Sequence, residues 1–193
     1  MFFKNRLTHF TDEELMQMMQ QGSEVALVEI YQRYSAPLLR YFTRMLWHDA
    51  EVAQDFLQDL FVKVIDNPGR FNTSRKFSTW IFSVAHNMCK NEYRSKEHRE
   101  SAIIPIERHS HTDLNKLIDE QDFKNRLNFL LETLDDESKT LFLLRYEHEF
   151  DLEKISEILA IPVGTIKSRL FYLRKGLSQE LQEYKIILKE GMI

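Results

Sequence analysis

Apolar residues recur along most of this chain at intervals of three and four, the spacing that buries one face of an α-helix. Thr11-Asp12-Glu13-Glu14 has the form of a capping box opening a first helix. Gln21-Gly22-Ser23 ends it, with Ser23 placed to cap the next. Ala26, Leu27, Ile30, Tyr31, Tyr34, Leu38, Tyr41, Phe42 and Met45 then make one long stripe. Pro37 lies inside that stripe and predicts a kink rather than a stop. Trp47-His48-Asp49 reads as a loop. A helix over about 51–65 buries Ala53, Phe56, Leu57, Leu60, Phe61 and Val64. Asn67, Pro68 and Gly69 punctuate a turn-rich loop that runs to Lys76. The helix predicted from Phe77 to about Lys96 turns Ile81, Val84, Ala85 and Met88 inward.

Periodicity fails over 97–117, where Pro105 and the polar run Arg108–Asp113 read as a linker. The expected domains are therefore 1–96 and 118–193. The second begins with the stripe Leu117, Ile118, Phe123, Leu127, Leu131 and Leu134, and Asp135-Asp-Glu-Ser138 opens a further helix. Asp151–Leu177 reads as two helices with a very short break. Asp151 caps the first, which carries Ile155, Ile158 and Leu159. Ala160-Ile161-Pro162 interrupts, and a proline at a helix start costs no hydrogen bond. Val163, Ile166, Leu170, Leu173 and Leu177 form the buried face of the second, and the residues from Ser178 onward extend it and fray. With five glycines, four prolines and no alternating strand pattern, the chain is expected to be all-α: two helical domains joined by a flexible linker.

The formal net charge is only −4, but charge is sorted along the chain. Residues 49–66 hold five acids and one lysine, whereas 67–99 hold seven Lys/Arg and two acids. Such sorting suggests separate surfaces for separate partners. On the helix near 51–65, Gln54, Asp55, Gln58 and Asp59 mass on the face opposite the core, beside Val62. That face is either simply solvated or suited to a protein partner carrying basic and amide groups. The loop carries Arg70, Arg75 and Lys76, with Phe71 projecting, a combination that suits single-stranded nucleic acid as well as a plain basic surface. Trp80, Ser83, Asn87, Lys90, Asn91 and Arg94 share the outer stripe of the next helix. Amides there can bond base edges and cations can bond phosphates, although Trp80 equally suits a partly buried position. Between 161 and 179 there are four basic residues and no acid. Thr165, Ser168, Tyr172 and Lys175 line the outer face of that last helix, flanked by Lys167, Arg169 and Arg174. A short basic helix held across a tight turn by another matches a helix-turn-helix that enters the major groove; the plain alternative is a solvated helical hairpin.

Other chemistry is thinly represented. Cys89 is the single cysteine, so an internal disulfide and a cysteine-cluster metal site are excluded. His86 stands three residues before it, but two ligands do not make a zinc site. His109 and His111 read as solvated. No Ser-His-Asp set, glycine-rich phosphate loop or metal-ligand cluster stands out, so neither catalysis nor a cofactor is expected. The start, MFFKNRLTHF, lacks the apolar core of a signal peptide. No apolar run approaches the ~20 residues of a membrane span. A soluble, cytoplasmic protein without membrane insertion is expected.

Stretches in the family's order resemble the extracytoplasmic-function (ECF) sigma factors of bacterial RNA polymerase. Among them are AQDFLQDLF (53–61), FSTWIFSVAHN (77–87) and the run 141–170, and the spacer between them lacks the extra domains of housekeeping sigma factors. The resemblance implies sigma domain two, a linker and sigma domain four, and a protein that binds core polymerase, directs it to promoters and helps open them. It implies that Asp55, Gln58, Asp59 and Gln54 meet the β′ clamp helices, with the β flap as a second polymerase contact. It assigns minus-ten recognition and melting to Phe71, Asn72, Arg75, Lys76, Trp80, Ser83, Asn87, Lys90, Asn91 and Arg94, with Phe71 and Asn72 framing a pocket for an unstacked base. It assigns the minus-thirty-five element to Gly164, Thr165, Lys167, Ser168, Arg169, Tyr172 and Lys175. An anti-sigma partner is also implied. Gln54 and Asp59 stand where the family usually has Glu, Asp135 where Pro often occurs, and Ala160 where Gly is common. Ala160 needs a turn that avoids positive φ or bears its cost. The rival reading is a ligand-responsive helix-turn-helix repressor, which would bind a palindrome alone as a dimer.

Overall fold

The computed structural model describes residues 7–100 and 120–184, and these contain helices and no strand. The first unit consists of α1 (Asp12–Gln20), α2 (Glu24–Met45), α3 (Ala50–Asp66) and α4 (Phe77–Glu100), with a single 3₁₀ turn at Pro68–Arg70. The second consists of α5 (Glu120–Thr133), α6 (Asp136–Phe142), α7 (Leu152–Leu159) and α8 (Val163–Glu180). A π-helical turn at Leu143–Glu147 continues α6, and a 3₁₀ turn at Gln182–Tyr184 follows α8.

The helix starts lie where side-chain oxygens can satisfy free backbone N–H groups. Thr11 and Glu14 form the capping box of α1, and Ser23 accepts from Ala26. Asp49, Asp135 and Asp151 cap α3, α6 and α7 in the same way. Each such cap contributes about 1 kcal/mol. α2 continues through Pro37 rather than ending there. α4 runs on to Glu100, past its expected end at Lys96, so helix occupies the first residues assigned to the linker. Leu117, Ile118, His109, His111 and the end of the C-terminal tail lie outside the described residues.

The buried stripes converge as their spacing requires. Leu15, Met16, Ile30, Leu38, Tyr41, Phe42, Leu60, Phe77 and Ile81 are at the centre of the first unit. Leu141, Leu144, Ile155, Ile158 and Ile166 fill the second. These two sets belong to one continuous apolar cluster, because α7 packs on α4 and α6 reaches α2. The linker composition gave no sign of that junction.

Candidate nucleic-acid interface

The 67–76 loop is fastened from behind by α1. The Gln20 amide donates to the carbonyls of Pro68 and Phe71 at 3.0 and 3.1 Å. Glu13 accepts the backbone N–H of Phe77 at 2.9 Å, supplying an acceptor at the start of α4. It also lies 3.8 Å from the Lys76 ammonium. Within the loop, Asn72 accepts from the Ser74 N–H at 3.0 Å and the Ser74 hydroxyl at 2.8 Å, a local turn that sets the course to Arg75.

Phe71 corrects the sequence reading. It does not project; only 2% of its surface is exposed. Its ring meets Phe77 edge-on at 5.3 Å and Trp80 at 5.3 Å, with Phe77 and Trp80 at 5.6 Å from each other. An aromatic gains more by burying its area than by facing water, and the ring thus anchors the loop instead of offering a stacking platform. The side chains exposed around it are Asn72, Arg75 and Lys76, while Trp80 is half-buried.

The outer stripe of α4 is continuous with that loop. Asn87, Lys90, Asn91 and Arg94 are exposed, and Ser83 is half-buried with its hydroxyl donating to the Trp80 carbonyl at 2.7 Å. α3 exposes Gln54, Asp55, Gln58 and Asp59, with Val62 at 51% and Ile65 at 47% exposure beside them. The acidic-amide face and the basic-amide face are thus on different helices.

In the second unit, α7 ends at Ala160 in the left-handed conformation, φ 55° and ψ 40°. The turn therefore takes positive φ in a residue with a Cβ. The Ser156 hydroxyl donates to the Ile161 carbonyl at 2.6 Å and braces it. Pro162 then precedes α8, whose Ile166, Leu170 and Leu173 are buried. Gly164, Lys167, Ser168, Tyr172 and Lys175 are exposed, and Thr165 and Arg169 are half-buried. The Ser168 hydroxyl folds back on the Gly164 carbonyl at 3.1 Å. A Cβ on Gly164 would meet no atom within 4 Å, so the protein itself does not demand glycine there. Arg169 has a partner the sequence did not reveal, an ion pair with Glu137 of α6. Phe171 and Tyr172 stand 63% and 69% exposed with rings 5.4 Å apart.

Among the described residues, no cluster of three His, Cys, Asp or Glu could hold a metal ion, and no helix is long and apolar enough to cross a membrane.

Comparison with known proteins places this geometry. Residues 30–99 match Sigma-70 region 2 and residues 124–175 match Sigma-70 region 4, so both helical units fall within a sigma-70 pattern. The chain is 31% identical over 167 residues to the ECF RNA polymerase sigma factor SigL of Mycobacterium tuberculosis, covering 84% of this chain and 93% of that protein. It is 27% identical over 179 residues to the ECF RNA polymerase sigma factor SigW of Bacillus subtilis, covering 87% and 95%. The fold resembles that of CnrH in complex with the cytosolic domain of CnrY, with a TM-score of 0.66 at 19% identity over 89% of this chain and 97% of that one. The chain belongs to the sigma-70 family, in its ECF group. Its function is that of a promoter-specificity subunit, which binds core RNA polymerase and directs it to promoters.

Proposed function

We propose that this sigma factor divides its work among the three faces described above, has no catalytic activity of its own, and acts in the cytoplasm. The observation that carries the division is the segregation of exposed charge. Asp55 and Asp59 stand together on α3, while Lys90 and Arg94 on α4 and Lys167 and Lys175 on α8 form basic faces elsewhere.

In this reading the α3 face docks on the β′ clamp helices, with Val62 adding an apolar contact at its edge. The second unit meets the β flap. Arg75, Lys76, Lys90 and Arg94 neutralise phosphates near the minus-ten element, and Asn72, Asn87 and Asn91 supply amides to bases exposed by melting. Phe71 acts from inside, holding the loop against Trp80. The α8 face enters the major groove at the minus-thirty-five element through Gly164, Thr165, Lys167, Ser168, Arg169, Tyr172 and Lys175. Net negative charge suits a protein that binds DNA weakly until polymerase presents both units, since phosphate neutralisation drives non-specific affinity. An anti-sigma partner is part of the proposal. It is supported by the likeness of fold to CnrH bound to CnrY and to the sigma factor RpoE bound to the anti-sigma factor NepR of Bartonella quintana.

The test is transcription of fragmented genomic DNA by purified core polymerase, with and without the protein, mapping RNA 5′ ends. New starts sharing two spaced upstream motifs are expected. No new starts together with no core binding would overturn the proposed division of work among these faces.

A further inference from the structure

Asn72 is exposed, yet its backbone and its side chain are both held by the protein. The carbonyl of Phe71, the residue before it, accepts from the Gln20 amide at 3.1 Å. Its own carbonyl accepts the Arg75 N–H at 2.9 Å and closes a tight turn. Its side-chain oxygen Oδ1 accepts twice from Ser74, from the backbone N–H at 3.0 Å and from the hydroxyl at 2.8 Å. Behind the turn, the buried Phe71 ring lies against Phe77 and Trp80. A surface amide fixed in this way loses little further freedom when it meets a ligand.

The same bonds decide which way round the amide lies. A backbone N–H can only donate, so the atom facing Ser74 is the oxygen and the amide nitrogen is turned away. A carbonyl oxygen has two lone pairs, and Ser74 occupies both. Asn72 is therefore left with N–H donors and no acceptor. An asparagine with both ends open bonds adenine through a donor and an acceptor together, at N7 and at the amino group. Asn72 cannot complete that pair. Opposite thymine O4 or guanine O6 its N–H groups meet a carbonyl, whereas opposite the amino groups of adenine and cytosine they meet other donors.

We propose that Ser74 is a positioning residue that locks Asn72 as a donor-only reader, so that one unpaired base of the minus-ten element is selected for its carbonyl group, thymine or guanine over adenine or cytosine. Ser74 touches no base in this scheme and acts through Asn72. The copied strand must stay free to pair with nucleotides, so the base is taken from the non-template strand. The inference rests on the proposed reading of the 67–76 loop as a minus-ten contact and adds the class of base that the loop selects.

The test is transcription by the full chain with core polymerase on a promoter library randomised across the minus-ten element, counting transcripts for each non-template base. Wild type is expected to favour thymine and guanine at one position. Asn72→Asp keeps the turn, because a carboxylate oxygen accepts from Ser74 as the amide oxygen does, but it turns an acceptor outward. At that position the ratio of carbonyl to amino bases is expected to fall by at least about fivefold. The added negative charge repels every sequence alike and cancels in the ratio. Ser74→Ala returns one lone pair to Asn72, so adenine is expected to gain about threefold over thymine there, and Ser74→Thr is expected to restore the wild-type preference. Both positions are exposed, and these variants are expected to keep the wild-type melting temperature and core affinity. A wild-type preference for adenine or cytosine at the position that Asn72→Ala flattens overturns the inference. So does an Asn72→Asp profile identical to that of Asn72→Ala, or a Ser74→Ala profile identical to wild type. If Asn72→Ala leaves every minus-ten position unchanged, the loop's assignment as a reader fails and the inference falls with it.

Discussion

Glu13 on α1 accepts the backbone N–H of Phe77, 64 residues further along the chain, at 2.9 Å. The helix carrying the proposed minus-ten contacts is therefore started by a carboxylate from the opposite end of its unit. Glu13→Ala is expected to cost about 1 kcal/mol, the worth of a helix cap, and to lower the melting temperature by about 2–4 °C. Promoter opening should slow because the loop and the start of α4 lose their brace, whereas core affinity should not change. A variant with wild-type melting temperature and wild-type opening rate, followed by permanganate footprinting, would remove the positioning role.

Asp55 and Gln58 are exposed on α3 and make no bond that holds the fold. Asp55→Ala with Gln58→Ala should leave thermal stability within about 0.5 kcal/mol of wild type, as surface changes do. Core polymerase affinity should fall by at least about tenfold, as when contacts near an interface centre are truncated. Titration by fluorescence anisotropy measures this, and unchanged affinity would move the polymerase contact off this face.

Arg169 must exchange Glu137 for a phosphate if it contacts DNA. Arg169→Ala should weaken binding at promoters that depend on the upstream element and reduce the salt slope of binding by about one. Glu137→Gln should act in the opposite direction, because it frees the guanidinium at an exposed pair whose loss costs little, about 0–1 kcal/mol. If both variants reduce promoter binding equally, the ion pair is a structural brace of α8 and Arg169 is not a DNA contact.

The helices, their caps and the exposed α3, α4 and α8 faces could be read from spacing, because each follows from local periodicity and a capping oxygen. The position of Phe71 could not. Its neighbours are basic and turn-forming, and only the approach of Phe77 and Trp80, brought in by the fold of α4, turns the ring inward. The Arg169–Glu137 pair and the Gln20 and Glu13 braces join residues 32 to 64 positions apart, and nothing local signals them. The junction of the two units was hidden for the same reason. Phe82, His148 and Phe150 each sit in ordinary-looking sequence and acquire a role only when α7 lies against α4.

Ala160 holds a left-handed conformation at φ 55°. For an L-residue with a Cβ this costs roughly 1–2 kcal/mol, and glycine recovers part of it against its greater freedom in the unfolded chain, about 0.4–1 kcal/mol. Ala160→Gly is therefore expected to stabilise the protein by up to about 1 kcal/mol in urea unfolding, without altering α8. A loss of stability would mean that the methyl group packs more usefully than its exposed position indicates.

His148 and His86 give the protein an acid sensitivity. Burial, with the nearby Arg40 charge, pushes His148 down to about 4, and burial with the Lys90 charge, partly offset by Glu137, pushes His86 down to about 4. Tyr41, Phe82 and Phe150 surround His148 and offer no negative charge. Both histidines are more readily protonated in the unfolded chain, near 6.5, than in the folded one. Their contribution is thus complete above pH 6.5 and is lost as pH falls toward 4, where the unfolded state binds the extra protons. After allowance for solvent screening, each should withdraw on the order of 1 kcal/mol between pH 7 and pH 5. His148→Gln should flatten that dependence by about half, measured as the difference in unfolding free energy between the two pH values. An unchanged pH profile in the variant would show that His148 keeps its proton balance on folding, which would place the ring in contact with solvent rather than among Tyr41, Phe82 and Phe150.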